Sequence, residues 1–301
     1  MDKKAASTNP EYDQRILKLF DGYVHGKLTR REFIDRATAF TAAGISAATV
    51  LASLSPDYSL AQQVAPDDDS IATSYKNYSS PNGAGVMRGY FARPAVIEHR
   101  LPGVVVVHEN RGLNPYIEDV ARRLAVAGFV AFAPDALTPL GGYPGNDDDG
   151  RTLQRERDRD EMVEDFIAAV EFLQVHPDCT GKVGAVGFCF GGGVVQRLAV
   201  RMPTLAAGVP FYGRHPAPED AASIKAPLML HHAGLDERVN ASWPAFEKGL
   251  QEAGREYVNY VYDGANHGFH NDTTPRYDKA AAELAWQRTI AHFTEHLMPD
   301  A

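Results

Sequence analysis

The sequence predicts an α/β protein with a mostly parallel, doubly wound sheet and an N-terminal helical extension. Three observations support this prediction. Short apolar runs typical of buried strands alternate with segments that carry apolar residues at helical spacing. One of these runs enters a glycine-rich turn that leads directly into a helical segment. The chain has 301 residues, of which 44% are hydrophobic, and this is enough for one large domain plus an extension.

The first part of the chain differs in composition from the rest. Residues 12–27 have the apolar pattern of a short amphipathic helix, and residues 28–65 lack the alternation of strands and helices that follows. We therefore divide the chain into an N-terminal extension, residues 1–65, and a main domain, residues 66–301.

The extension also contains an arrangement that resembles a twin-arginine export signal. Arg30 and Arg31 precede an uncharged stretch at 37–54, and a small-residue pattern ends at Ala61. Cleavage there would give a periplasmic protein that begins near Gln62. The alternative is a pair of ordinary helices in a cytoplasmic protein. The stretch is too short and too polar for a stable membrane span.

The first half of the main domain begins with two strands and then alternates. Residues 71–94 form a predicted strand pair around a Ser-Pro-Asn-Gly turn. The unbroken apolar run at 103–108 suits a parallel strand that is buried on both faces. Asn114 can cap the helix that follows, and Pro115 can occupy its first turn. Residues 129–133 form the next strand.

Residues 137–157 are predicted to be irregular. Their acidic triplet, Asp147-Asp148-Asp149, lacks the spacing of a calcium-binding loop, so a solvated loop is the better interpretation. The alternation then resumes to the end of the chain. Helices are predicted around 162–173, 246–250 and 286–297, and strands at 183–186, 207–212, 227–232 and 257–262.

Charge and cysteine content exclude several classes of protein. The formal net charge of −9 argues against a nucleic-acid partner and against an anionic membrane surface. Cys179 and Cys189 lie at opposite ends of one predicted strand, so they cannot form a disulfide. Adjacent histidines at 231 and 232 would point to opposite faces of a strand and therefore do not suggest a metal site.

The glycine-rich turn is Gly187-Phe188-Cys189-Phe190-Gly191, a G-x-C-x-G form of the nucleophile elbow. A strand that turns sharply into a helix holds the central residue in a strained backbone conformation. Side chains two positions before and after it would collide with neighbouring backbone, which explains both glycines. The thiol would stand at a helix N-terminus, where the dipole favours thiolate.

Two further chemical groups follow later strands. Asp236 comes after the strand at 227–232, and His267 follows the strand at 257–262. The carboxyl ends of parallel strands meet at one edge of a sheet, so both side chains should approach Cys189. The order nucleophile, acid, histidine is that of the α/β-hydrolase triad.

These residues predict a nucleophilic mechanism. His267 would accept the proton of Cys189, and Asp236 would orient the imidazole and stabilise its charge. The backbone N–H groups of Phe190 and Asn110 would form the oxyanion hole.

The sequence from about 71 to 297 resembles the dienelactone hydrolases, or carboxymethylenebutenolidases. That resemblance implies an α/β-hydrolase domain that acts on a small-molecule ester or lactone without a metal or an organic cofactor. It also implies that the acid matching Glu109 keeps the resting thiol protonated until substrate displaces it. The resemblance rests on His108-Glu109-Asn110-Arg111-Gly112, Gly187-Phe188-Cys189-Phe190-Gly191-Gly192, Phe211-Tyr212-Gly213, Asp236 and Asn266-His267-Gly268-Phe269.

One family feature is missing, which leaves the substrate open. Family members carry an arginine shortly after the catalytic histidine that binds the substrate carboxylate, and this sequence has none there. Arg111 or Arg214 is expected to supply that charge, unless it is a structural ion-pair partner. Tyr143 and Tyr212 complete the predicted substrate-binding set. A non-catalytic binding module on the same fold is the alternative function, and the oligomeric state stays open.

Overall fold

The computed structural model describes residues 12–41 and 45–298. Its strands are β1 (Ile71–Ser80), β2 (Gly85–Pro94), β3 (Leu101–Val107), β4 (Val130–Pro134), β5 (Cys179–Phe188), β6 (Ala207–Phe211), β7 (Leu228–Ala233) and β8 (Tyr257–Tyr262). Its α-helices are α1 (Gln14–Val24), α2 (Arg30–Ala37), α3 (Ala47–Leu54), α4 (Pro115–Val126), α5 (Asp147–Glu156), α6 (Arg159–Gln174), α7 (Phe190–Arg201), α8 (Glu237–Asn240), α9 (Trp243–Glu252) and α10 (Lys279–Leu297).

All the strands belong to one sheet with the order β1-β2-β4-β3-β5-β6-β7-β8. The strands from β3 onwards are parallel to one another, whereas β1 and β2 pair antiparallel at one edge. The chain moves outward in opposite directions from β3 and β5. The loops that follow these two strands therefore diverge and leave a crevice at their carboxyl ends, which is where parallel sheets bind ligands.

Helices cover both faces of the sheet, as predicted. Val104 and Val106 of β3 pack into the same cluster as apolar side chains of α4 and α10. Val105 and Val107 point to the opposite face, where α6 and α7 pack against β3. This alternation is the period-two geometry of a strand that is buried on both sides.

The predicted N-terminal extension is a set of helices, α1 to α3, with a hydrophobic cluster of its own. Phe20, Phe33 and Leu54 are among its buried members. Arg30 and Arg31 are the first residues of α2, and Thr29 caps that helix with a reciprocal bond to Glu32. Within the part of the chain that the structure describes, which omits residues 42–44 of the uncharged stretch, no helix combines the length and apolarity needed to cross a membrane.

The prediction that residues 137–157 are irregular was wrong, because α5 occupies its second half. The acidic triplet that we assigned to a solvated loop forms the first turn of this helix, and Asn146 caps it. Carboxylates are favoured there by the helix dipole. Asp147 is mostly buried and accepts hydrogen bonds from Arg111 and Tyr58.

Candidate active site

The turn between β5 and α7 has the strained geometry that the G-x-C-x-G pattern predicts. Cys189 has a φ of 56°, in the region that residues with a side chain rarely adopt. A Cβ on Gly187 would lie 2.3 Å from the Gly191 carbonyl oxygen, and a Cβ on Gly191 would lie 2.2 Å from that of Val107. The two glycines therefore permit the close approach of backbone that fixes Cys189 at the start of α7.

The loops after β7 and β8 bring Asp236 and His267 to the same edge of the sheet. Nδ1 of His267 lies 2.5 Å from Oδ2 of Asp236. The other carboxylate oxygen of Asp236 accepts the backbone N–H of Val239 at 3.1 Å and so caps α8. A ring nitrogen of His267 lies within 4.8 Å of the Cys189 sulfur. The structure thus brings the three predicted triad residues together.

A second histidine, which the sequence reasoning missed, contacts the same sulfur. Nε2 of His25 lies 3.4 Å from Sγ of Cys189. Nδ1 of His25 lies 2.8 Å from the Asp21 carbonyl oxygen and 3.1 Å from its carboxylate. His25 directly follows α1, 164 residues before Cys189, and only the packing of the extension onto the main domain brings the two together.

The two imidazoles control the charge of the thiol. Burial alone would raise the pKa of Cys189, but the charges of His267 and His25 lower this pKa to about 5. Burial likewise opposes the charged form of His267, whereas the Cys189 thiolate and the Asp236 carboxylate raise its pKa to about 10. Both shifts favour a thiolate paired with an imidazolium over a neutral thiol and a neutral imidazole.

Arg238 connects the two histidines and was also missed. Its Nη2 lies 3.2 Å from Nε2 of His25 and 3.3 Å from Nδ1 of His267. Its Nε lies 3.5 Å from a carboxylate oxygen of Asp21. It lies in α8, two residues after Asp236 and therefore close to the end of β7.

Glu109 forms its hydrogen bonds with residues other than Cys189 in the described chain. Its side chain is buried and accepts hydrogen bonds from Arg111 at 2.6 Å and from Asn271 at 3.1 Å. Among the described residues, Cys189 has its hydrogen-bond partner in His25 instead. Arg111 is buried between Glu109 and Asp147, as the structural ion-pair alternative expects, and it does not line the cavity described next.

The Cys189 side chain opens into a cavity of about 390 Å³. Of the other predicted site residues, His267, Asn110, Phe190, Tyr212 and Arg214 line it. Tyr143 lies elsewhere, because its backbone N–H is held by Asp135 and it lines a separate cavity.

The cavity lining is strongly basic although the chain as a whole is acidic. Arg214, the one predicted cation that lines it, is exposed. No carboxylate belongs to the lining within residues 12–41 and 45–298. The basic side chains that line it are Lys27, Arg151, Arg155, Arg157, Arg159, Arg214 and Arg238.

Two backbone N–H groups beside Cys189 are available as donors. Phe190 is the first residue of α7, and Asn110 follows β3. Neither backbone N–H donates a hydrogen bond to an atom of the described chain. The Asn110 side chain is engaged instead, because its Nδ2 donates to the Val24 carbonyl oxygen at 2.7 Å.

One set of side chains has the composition of a metal site. Ligand atoms of His25, Cys189 and His267 all lie within 4.8 Å of one another. Sulfur and imidazole nitrogen are ligands that Zn²⁺ prefers. The His25 nitrogen of this set also lies 3.2 Å from the Arg238 guanidinium, however, and a fixed positive charge at that distance opposes a bound cation, so we do not assign these residues as metal ligands.

The comparisons with known proteins identify the family. A family model described as the dienelactone hydrolase family matches residues 87–297, and a model described as YqhI-like matches residues 3–43. The chain belongs to the dienelactone hydrolase family. It is a lactone or ester hydrolase with the α/β-hydrolase fold, so the predicted resemblance and fold class are confirmed and the binding-module alternative is not supported.

Three similar proteins illustrate the relationship. A “Putative carboxymethylenebutenolidase” of Saccharolobus solfataricus is 31% identical over 67% of this chain and 91% of its own. A “Probable 2-oxo-3-(5-oxofuran-2-ylidene)propanoate lactonase” of Bradyrhizobium is 33% identical over 69% of this chain and 89% of its own. The crystal structure of a dienelactone hydrolase-like promiscuous phosphotriesterase, P91, from metagenomic libraries has a TM-score of 0.66 at 27% identity and covers 76% of this chain and 99% of its own.

Proposed function

We propose that this protein hydrolyses negatively charged carboxylic esters or lactones with Cys189 as nucleophile, His267 as general acid and base, and Asp236 as the group that orients His267. The observation that carries this proposal is the placement of the His267 ring between the Asp236 carboxylate and the Cys189 sulfur. The nucleophile opens into a cavity that can hold a small molecule.

The reaction proceeds in two halves. The Cys189 thiolate attacks the carbonyl carbon, an S–C bond forms, and the carbonyl electron pair moves to the oxygen, where the N–H groups of Phe190 and Asn110 stabilise it. The C–O bond then breaks, and the leaving oxygen takes a proton from His267. A water molecule, deprotonated by His267, attacks the thioester carbon. The acid leaves, the thiolate is restored, and His267 is again protonated.

The charge of the cavity supports an anionic substrate. Lys27, Arg155, Arg159 and Arg214 line it, are exposed, and form no ion pair with a carboxylate among the described residues. Their positive charges can therefore attract an anionic ligand. The Bradyrhizobium relative is named for a lactone that contains a propanoate group, which agrees with this charge.

We expect an aryl ester that ends in a carboxylate to be hydrolysed with a higher kcat/KM than a neutral ester of equal length. Arg214→Gln and Arg155→Gln should each lower kcat/KM for the charged ester about tenfold, because a charge-assisted contact is lost. The neutral ester should change little. Arg100→Gln, an exposed arginine before β3 and so at the opposite edge of the sheet, is the matched control. Equal rates for both esters would contradict an anionic substrate.

Dialysis against a chelator is expected to leave hydrolysis at full activity, because the proposed mechanism uses a thiolate, an imidazole and a carboxylate and no metal. Steady-state hydrolysis rates before and after dialysis provide the measurement. Loss of activity on chelation, recovered by a divalent ion, would contradict the proposed metal-free mechanism.

A further inference from the structure

The N-terminal extension forms part of the wall of the active-site cavity. Val24, His25 and Lys27 line it, together with residues of the main domain. The end of α1 is fixed in this position by the hydrogen bond from Asn110 to the Val24 carbonyl oxygen at 2.7 Å. Further along α1, Lys18 forms an ion pair with Glu237 at 2.9 Å.

His25 and His267 have similar neighbours. In each case one ring nitrogen faces an aspartate and the ring approaches Cys189. The two rings meet edge to face with centroids 4.9 Å apart. Thus two Asp–His pairs, one from the extension and one from the main domain, converge on a single thiol.

We propose that the N-terminal extension completes the active site, and that His25, oriented by Asp21, is a second imidazole that holds the Cys189 sulfur as thiolate in the free enzyme. This inference rests on the proposed role of Cys189 as nucleophile. His25 counts as a catalytic residue in that reaction, because it contacts the reacting atom.

Within the set formed by the two Asp–His pairs, the Cys189 sulfur and Arg238, the charges balance when both histidines are protonated. Other charged or titratable groups on the elements packed around the sulfur are Glu109 and Arg111 after β3, Tyr212 after β6 and Arg276 after β8. Three negative groups, Asp21, Asp236 and the Cys189 thiolate, then face three positive groups, His25, His267 and Arg238.

The tautomer of His25 follows from its contacts. Nδ1 faces two acceptor oxygens of Asp21, so it carries a proton. Nε2 faces both the sulfur and the Arg238 guanidinium. Burial and His267 disfavour a charged ring, but the Cys189 thiolate and Asp21 outweigh them and raise the pKa of His25. A protonated Nε2 donates to the thiolate, and the Arg238 guanidinium, which can only donate, then has the carboxylates of Asp21 and Asp236 as its partners and not this nitrogen.

The contact between His25 and Cys189 exists only in a chain that keeps its N-terminal extension. A chain cut near Gln62, as the twin-arginine alternative requires, would lack both Asp21 and His25. The thiol would then have one imidazole partner and a more open cavity. The proposal therefore requires that the active enzyme keeps the extension attached.

The test measures alkylation of Cys189 by iodoacetamide as a function of pH, in the full-length protein with Cys179→Ala so that only one thiol reports. We expect His25→Gln, which keeps a polar side chain but cannot carry a charge, to move the midpoint upward by about one pH unit or more. Asp21→Asn should move it in the same direction by less. His99→Ala, an exposed histidine, is the matched control and should not move it.

The acid limb of kcat/KM for ester hydrolysis should move in parallel with the alkylation midpoint. Circular dichroism and the Tm of each variant establish that it is folded, and His25→Ala serves as a second variant if His25→Gln is not. An unchanged midpoint in a folded His25 variant overturns the inference while leaving the triad intact. If hydrolysis survives Cys189→Ala, the proposed function itself fails, so the two failures are distinguishable.

Discussion

Replacing Cys189 by alanine is expected to lower kcat for ester hydrolysis by about 10,000-fold or more, because members of a triad act as a unit. The thiol is positioned by a strained turn, and its sulfur is the atom on which the imidazoles converge. The other thiol of the chain cannot replace it at that position, because Cys179 lies at the far end of β5. Initial rates with an activated ester under saturating conditions provide the measurement.

Cys179→Ala is the matched control. Cys179 is buried at the start of β5, and its burial raises the pKa of its thiol, so it is a poor nucleophile. Its removal should leave kcat near the wild-type value. Equal losses in the two variants would show that the elbow does not hold the nucleophile.

The parts of the fold that could be predicted are those in which local pattern and burial agree. The valines of β3 had to be buried on both sides, and they contact helices on both faces of the sheet. The glycines at 187 and 191 had to allow a close approach of backbone, and they do. Helix α5 was missed because its acidic first turn lacks an apolar stripe, although Asn146 offered a capping signal.

Only the site residues that follow strands could be predicted from the sequence. Cys189, Asp236 and His267 follow parallel strands, and the topology brings such positions to one edge of the sheet. His25 follows a helix of the extension, whose packing on that edge depends on many weak contacts that no local pattern records. The hydrogen-bond partners of Glu109 could not be predicted either, because they too depend on packing. Its carboxylate accepts from Arg111 and Asn271.

The two Asp–His pairs are expected to differ in their contribution to turnover. His267 must move protons in each half of the reaction, whereas His25 only stabilises the thiolate before attack. Removal of the first pair should therefore lower kcat, and removal of the second should mainly change the pH at which the thiolate forms.

Asp236→Asn is accordingly expected to lower kcat by about 1,000- to 10,000-fold, in line with the loss of the orienting carboxylate in other triads. Burial would raise the pKa of Asp236, but His267 and Arg238 hold it below its usual value, so the carboxylate is ionised at neutral pH. It accepts the Nδ1–H of His267, which fixes the tautomer and stabilises the imidazolium. An asparagine can supply neither a charge nor a second acceptor oxygen.

Two aspartate variants provide the comparison. Asp263→Asn changes an exposed residue of the loop that carries His267 and should leave kcat unchanged. Asp21→Asn should lower kcat far less than Asp236→Asn at neutral pH and should lower the rate mainly on the acid side, where the thiolate is lost as pH falls through the pKa of Cys189. Equal losses of kcat from Asp21→Asn and Asp236→Asn at neutral pH would contradict the assignment of proton transfer to His267 alone. The extension would then take part in proton transfer itself.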